Sequence, residues 1–388
     1  MKRSDEKFLV THMGSLPRGP VLTEMLLEQD KGGWPDPTAF QAAVDEATHA
    51  VVTAQAKVGI DVANDGEMPR ISFSTYVARR MHGYGGASDR PITLDMKNFP
   101  IWRQWVADHN LRRARLWDAP QAQGEIAYDG EAQLAQECNA FERALGVHEG
   151  AFAETFMTAA SPGIVATTML NAHYDSHDAY LTALSCELKK EYDAIVARGY
   201  LLQIDAPDLA MERATFFQGH TLAEFQGFVA RHIAAINEAT GDIPREKIRL
   251  HACWGNRDGP HVHDVACADV LPLMAEARVG AICLPFANPR HAHEVEVLST
   301  SGLPPDMLVI PGLIDTTTNY VEHPEWVAER LERVVAAVGD RERVLAGTDC
   351  GFSTLAGDAF VAEDVVWAKL AALSEGAAIA SKRMWGRV

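Results

Sequence analysis

Eight short apolar runs recur along the chain, each closing in a polar or glycine-bearing loop, and this rhythm constrains the fold more than any other feature. They are Phe8–Met13, Ile60–Ala63, Phe156–Ala160, Leu201–Ile204, Ile248–His251, Ala281–Pro285, Met307–Ile310 and Val344–Gly347. Most lead into a stretch of helical periodicity. In Ser176–Gly199, Leu181, Leu184, Leu188, Tyr192 and Ile195 recur at three- and four-residue steps, and in His323–Gly339 Val327, Leu331, Val334 and Val338 share one face. Strand–helix alternation repeated eight times predicts an α/β fold, a single (β/α)8 TIM barrel spanning residues 1–388. The rhythm breaks between the second and third runs, where residues 83–150 read as an insertion. Two short runs there, ITLDMKN and GEIAYDG, are expected to pair as a β-hairpin, followed by a helix over Glu131–Leu145.

Composition narrows the function. A formal charge of −18 makes nucleic acid and anionic membrane surfaces poor partners. The opening MKRSDEKFLVTH lacks an apolar core, so no secretory signal is expected, and no apolar run is long enough to span a bilayer. Six cysteines in 388 residues do not make a disulfide framework, which points to a cytoplasmic, reducing setting. Cys138, Cys186, Cys267 and Cys283 are expected as small core hydrophobes. Neither a GxxxxGK[ST] phosphate loop nor a GxSxG elbow is found.

A barrel of this kind places its reactive groups at the carboxyl ends of its strands. The fifth run ends LHACWGN and the eighth leads into AGTDCGF, offering His251, Cys253 and Cys350. Side chains two apart on an extended segment share a face, so His251 and Cys253 point together. Two thiolates and one imidazole with an open position form a catalytic zinc set. Other strand ends carry His12 and Ser15, Asp65 and Glu67, Asp205 and Asp208, and Asp315 and Asn319, which together suit a hydroxylated or cationic substrate. Of these, Asp315 and Asn319 are the candidates for catalytic groups. The pairs His261-Val262-His263-Asp264 and His291-Ala292-His293-Glu294 look like hydrolase metal motifs. They follow their loops where helices should begin, and i,i+2 residues of a helix do not face each other. They are expected to be surface or capping residues, with His261 and His291 kept as candidate site walls.

In their order, THMGSLPR, DGEMPR, LQIDAPDLA, LHACWGN and GTDCGF make the chain resemble the cobalamin-independent methionine synthase superfamily in its short form. The resemblance implies zinc held by His251, Cys253 and Cys350, and a thiol amino acid held by Ser15, Glu67 and Asp205, with His12 beside them. It implies transfer of a methyl or alkyl group from a small donor to a zinc-activated thiol. Two departures stand out. Pro285 falls where the family has a glutamate ligand, and Thr316 follows Asp315 where methionine synthases have a histidine implicated in proton delivery. The runs LIDTTTNYVEHPE and CWGNRDGPH look closer to the epoxyalkane:coenzyme M transferase branch, which makes epoxide opening by a thiol the alternative. A metal-dependent hydrolase and a decarboxylase on the same barrel are weaker rivals, and a homo-oligomer is left open.

Overall fold

The protein is described by a computed structural model covering residues 1–109, 113–358 and 360–386. Residues 110–112 of the expected insertion therefore lie outside the described residues. The strands are β1 (Val62–Ala63), β2 (Met81–Gly85), β3 (Gln121–Tyr128), β4 (Glu154–Ala160), β5 (Leu201–Asp205), β6 (Ile248–His251), β7 (Ala281–Pro285) and β8 (Leu308–Gly312). Six of them form one parallel sheet in the order β1-β4-β5-β6-β7-β8. Helices follow most strands, as the apolar periodicity requires. Ser176 caps the helix His177–Ala197 by accepting from Ala179 N, and Gly339 at φ 78° ends the helix Pro324–Val338 in the left-handed region.

Two of the eight expected strands are not strands here. The 8–13 and 344–347 segments join the sheet only through single parallel bridges, Thr11 to Val62, Val10 to Ala346, Val309 to Val344 and Gly312 to Gly347. The sheet is thus a curled six-stranded half-barrel with two extended segments bridged to its edges and to each other. Short pairing suits these segments, because each gives its polar residues to loops almost at once.

The expected hairpin partner was misplaced. The GEIAY segment does form a strand, β3, but it pairs antiparallel with β2 and not with ITLDMKN. Thr93 caps a short helix, Leu94–Asn98, by accepting from Met96 N, and that removes ITLDMKN from any ladder. The helix after β3 runs Glu131–Gly146, close to expectation. No described helix is long and apolar enough to cross a membrane. Of the cysteines expected in the core, Cys138, Cys267 and Cys283 are buried, whereas Cys186 is exposed on the outward face of its helix.

Candidate metal centre and active site

The carboxyl ends of the strands open on a cavity whose lining includes Ser15, Glu67, Asp205, His251, Cys253 and Cys350. Parallel register explains the centre of this group. Asp205 and His251 are paired residues at the ends of β5 and β6, so their side chains emerge side by side, and Asp205 Oδ1 lies 3.0 Å from His251 Nδ1. Cys253 follows two residues beyond His251 on the same face. Cys350 reaches the same point from the last loop, which is tied to the first by Phe352 N donating to Ser15 O at 2.8 Å. Gly351 permits this approach, since a Cβ there would sit 2.1 Å from Ser15 Oγ. One nitrogen of His251 and the sulfurs of Cys253 and Cys350 lie within 4.8 Å of one another.

Their protonation is shaped by that closeness. The hydrogen bond from the Cys350 thiol holds Cys253 below the ordinary thiol range, at about 6, against the opposing effect of burial. Cys350, as donor to that sulfur and buried itself, is pushed up. Burial, against the pull of Arg249, pushes the core thiol of Cys283 up to about 12. Burial also pulls His251 down, but the Asp205 carboxylate and the Cys253 sulfur outweigh it and leave the imidazole above its usual value.

A buried scaffold beneath orients these groups. Gln203 Nε2 donates to Asp205 Oδ1 at 2.7 Å, and Arg249 Nε donates to Gln203 Oε1 at 2.8 Å. Arg249 also donates to Thr11 Oγ1 and His12 O, and lies over the Phe156 ring at 3.5 Å. Glu67 has a left-handed backbone, φ 58°, and its Oε1 accepts from Thr158 Oγ1 at 2.9 Å. Its Oε2 is buried without a hydrogen-bond partner. Burial raises the Glu67 carboxyl to about 7, against the pull of the Arg70 guanidinium. Arg70 donates to Thr158 and to Glu137, which also binds Arg80, so the helix Glu131–Gly146 reaches the site through one buried ionic network.

The remaining sequence candidates are distributed differently. His12 is buried below the cavity floor, with Nε2 2.8 Å from Gln55 Oε1, and burial lowers it to about 4. Asp315 lines a smaller polar pocket that Cys253 and Cys350 also border, and it accepts from Thr317 and Thr318. Thr316 donates to Asn256 Oδ1 at 2.8 Å, and Pro285 lines the same pocket. Asn319 is exposed, its side chain committed to Phe360 O and Ala362 N. His261 and His291 are buried walls of the smaller pocket and not surface residues, whereas His293 is exposed. The first motif lies in a turn, whereas the second opens the 3-10 helix Ala292–Ser299 with His291 just before its first turn. Each folds so that its first histidine meets its acid at i,i+3, His261 with Asp264 and His291 with Glu294.

Sequence reasoning missed Arg249, Gln203, Thr158, Arg70 and Glu137. A visible signal existed only for Arg249, a charge inside the apolar run IRLH.

The opposite wall of the cavity is apolar. Met96, Trp102, Trp105, Leu116 and Trp117 come from the segment between β2 and β3, and Phe360 from the last loop. The three described arginines that line it each face a carboxylate: Arg90 and Glu212 at 2.7 Å, Arg257 and Asp95 at 3.1 Å, Arg113 and Asp358 at 3.9 Å.

A 2-hydroxypropyl-CoM lyase from Xanthobacter autotrophicus is 24% identical, over 89% of this chain and 87% of its own length. A methionine synthase from Saccharolobus solfataricus is also 24% identical, over 96% of this chain and 95% of its own. These relatives match the superfamily and the branch that the motifs resemble. Among solved structures, a B12-independent methionine synthase from Shewanella sp. W3-18-1, in complex with selenomethionine, superposes with a TM-score of 0.71 at 18% identity, covering 98% of this chain and 100% of that one. A putative vitamin-B12 independent methionine synthase from Listeria monocytogenes gives 0.64 at 17%, covering 98% and 99%. Both carry the fold. No protein-family model matches the chain.

Proposed function

We propose that this chain is a zinc-dependent enzyme that transfers an alkyl group to a thiol. The observation that carries the reading is the convergence of one imidazole nitrogen and two sulfurs at strand ends, with the imidazole's Nδ1 held by a carboxylate. That donor set fits the metal on its own chemistry. One nitrogen and two sulfurs suit zinc, and a histidine ligand ordinarily gives its second N–H to a carboxylate or carbonyl, as His251 does to Asp205. Zinc held there supplies the positive charge that keeps a substrate thiol deprotonated at neutral pH. The low-lying Cys253 thiol favours loading at neutral pH, because ligands must shed their protons.

The chain's own residues do the rest. Glu67, with one buried oxygen still unpartnered, and Ser15 orient the polar end of the thiol substrate. Asp205 fixes His251 and borders the same space. The electrophile meets the aromatic wall. Because each described arginine there faces a carboxylate, an uncharged donor such as an epoxide fits better than a polyanionic folate. Thr316 supports the same choice, since its hydroxyl is a weak acid already spent on Asn256. Methyl transfer from an activated donor is the second reading, favoured by the methionine synthase relatives.

The test is to load the protein with cobalt in place of zinc and titrate homocysteine and 2-mercaptoethanesulfonate. The sulfur-to-metal absorption should change as thiol is added, and S-alkylated product should form with an epoxide or sulfonium donor. A loaded protein whose spectrum ignores every thiol would end this reading.

A further inference from the structure

The geometry points to a second metal site, built from His261, Asp264 and His291, that takes a divalent transition cation through nitrogen and oxygen ligands. Nothing in the thiol-activating reading uses these residues. Their side chains are 5%, 4% and 7% exposed. His261 Nδ1 lies 2.7 Å and His291 Nε2 3.0 Å from the same atom, Asp264 Oδ2. The three ligand atoms all lie within 4.8 Å of one another.

The outer contacts distinguish this from an ordinary ion-pair cluster. A metal-binding histidine usually donates its far ring N–H to a carboxylate or a backbone carbonyl. Both do so here: His291 Nδ1 meets Glu294 Oε2 at 2.7 Å, and His261 Nε2 meets Arg257 O at 3.1 Å. Glu294 is itself fixed, accepting from Cys267 N at 2.7 Å, and Trp254 stacks on His291 with centroids 4.0 Å apart. His261 holds φ 51°, so it is one of only two described non-glycine residues with positive φ, the other being Glu67 in the cavity. Such backbone strain persists where surrounding contacts impose it, typically at ligand clamps. Asp95 Oδ2 accepts His261 N at 3.0 Å, and Arg290 Nε donates to His261 O at 3.1 Å.

All four imidazole nitrogens face acceptors: Asp264 and Arg257 O for His261, Asp264 and Glu294 for His291. A divalent ion bound through His261 Nδ1, His291 Nε2 and Asp264 Oδ2 displaces to solvent any proton shared among those atoms. Arg257 and Asp95, also facing the cluster, pair with each other throughout. The site joins the loop after β6 to the loop after β7 beside Cys253 and Cys350, and two imidazoles with one carboxylate suit zinc, iron or cobalt in the divalent state.

The test separates the two sites by ligand type. Zinc content of the purified protein should be about two per chain in excess zinc, falling to about one in Cys253→Ser/Cys350→Ser and to about one in His261→Gln/His291→Gln. Cobalt added to the cysteine double variant should give d–d absorption with no sulfur-to-metal band. Cobalt added to the histidine double variant should keep the sulfur band. Circular dichroism and melting confirm that each variant folds, and His291→Gln alone serves if the pair does not. The inference is overturned if the cysteine variant binds no cobalt or zinc, or if the histidine variant, folded, loses no metal relative to the parent. Either result leaves thiol activation at the sulfur site standing.

Discussion

The two walls of the main cavity are made in different ways. One wall is the set of strand ends: Asp205 and His251 in register on β5 and β6, Cys253 just beyond, and Glu67, Ser15 and Cys350 on short loops tied to the sheet. Its groups are held by hydrogen bonds to buried partners that the sheet itself positions. The other wall is carried by the segment between β2 and β3 and is mostly aromatic. It is tied to the loops around the site by side-chain links, such as Trp102 Nε1 donating to Asp258 O at 3.1 Å, Arg257 pairing with Asp95 and Arg90 pairing with Glu212. Ligand geometry must be kept within fractions of an ångström, whereas an apolar wall need only exclude water and match a shape. On the proposed function, this difference predicts that chemistry and selection can each be broken without the other.

The sharpest break is in the sulfur corner. Cys253→Ser should cost about 10⁴-fold in turnover, since metal charge stabilisation is worth several kcal/mol. The binding of an apolar electrophile, followed by quenching of the cavity tryptophans, should be unchanged. Loss of both together would mean that the two walls are not independent.

Next in size is the buried network behind the strand-end wall. Glu137 holds Arg70 and Arg80, and Arg70 holds the Thr158 that hydrogen-bonds Glu67. Glu137→Gln leaves two buried guanidinium groups short of one negative charge. Unfolding stability should fall by about 3 kcal/mol, as for removal of one partner of a buried pair. Denaturant titration measures it. A loss under about 1 kcal/mol, the range of an exposed pair, would show that the network is solvated.

A smaller effect is expected at Asp205, where two roles meet. The superfamily resemblance gives it to the thiol substrate, while the structure puts its Oδ1 on His251 Nδ1. Asp205→Asn should lower zinc affinity about 10- to 100-fold, the usual cost of losing a carboxylate behind a metal-binding histidine. Competition against a chelator reads this directly. Unchanged zinc affinity with weakened thiol binding would assign Asp205 to the substrate alone.

The two walls were also unequally legible in the sequence. His251 and Cys253 could be paired from spacing, because period two is a property of one extended segment. Cys350 could be added because loops at strand carboxyl ends meet. Arg249, Gln203 and Thr158 could not, because their role depends on contacts between strands, and apolar periodicity names the strands without saying which side chains touch inside them. The insertion defeated periodicity outright. ITLDMKN alternates like a strand, yet Thr93 caps it into a helix, and the true partner of β3 is Met81–Gly85, whose two glycines and histidine read as a loop. Spacing groups His251, Cys253 and Cys350 as metal-ligand candidates, whereas the i,i+2 argument leaves His261 and His291 only as candidate site walls. Each of these histidines meets an acid at i,i+3, in a turn at His261 and at the start of the helix Ala292–Ser299 at His291.

The smallest effect belongs to the aromatic wall. Trp102 is partly exposed on the helix Pro100–His109, and it reaches the cavity while leaning on the loop after β6. Full burial of a large apolar side chain against a ligand is worth about 1.5–3 kcal/mol. A partly exposed ring contributes less, about 1 kcal/mol, or about fivefold in affinity. Trp102→Ala should therefore weaken binding of an apolar epoxide about fivefold and change thiol affinity little. Trp102→Phe should recover most of the loss, because the contact is apolar and the indole N–H serves only the tie to Asp258. The series should be run with epoxides of increasing alkyl length, where each added methylene gains up to about 0.8 kcal/mol in the parent and less in the alanine variant. Equal gains in both would place the electrophile away from this wall. Tighter binding of a polyanionic folate than of any epoxide would overturn the argument from paired arginines and return the chain to the activity of its methionine synthase relatives.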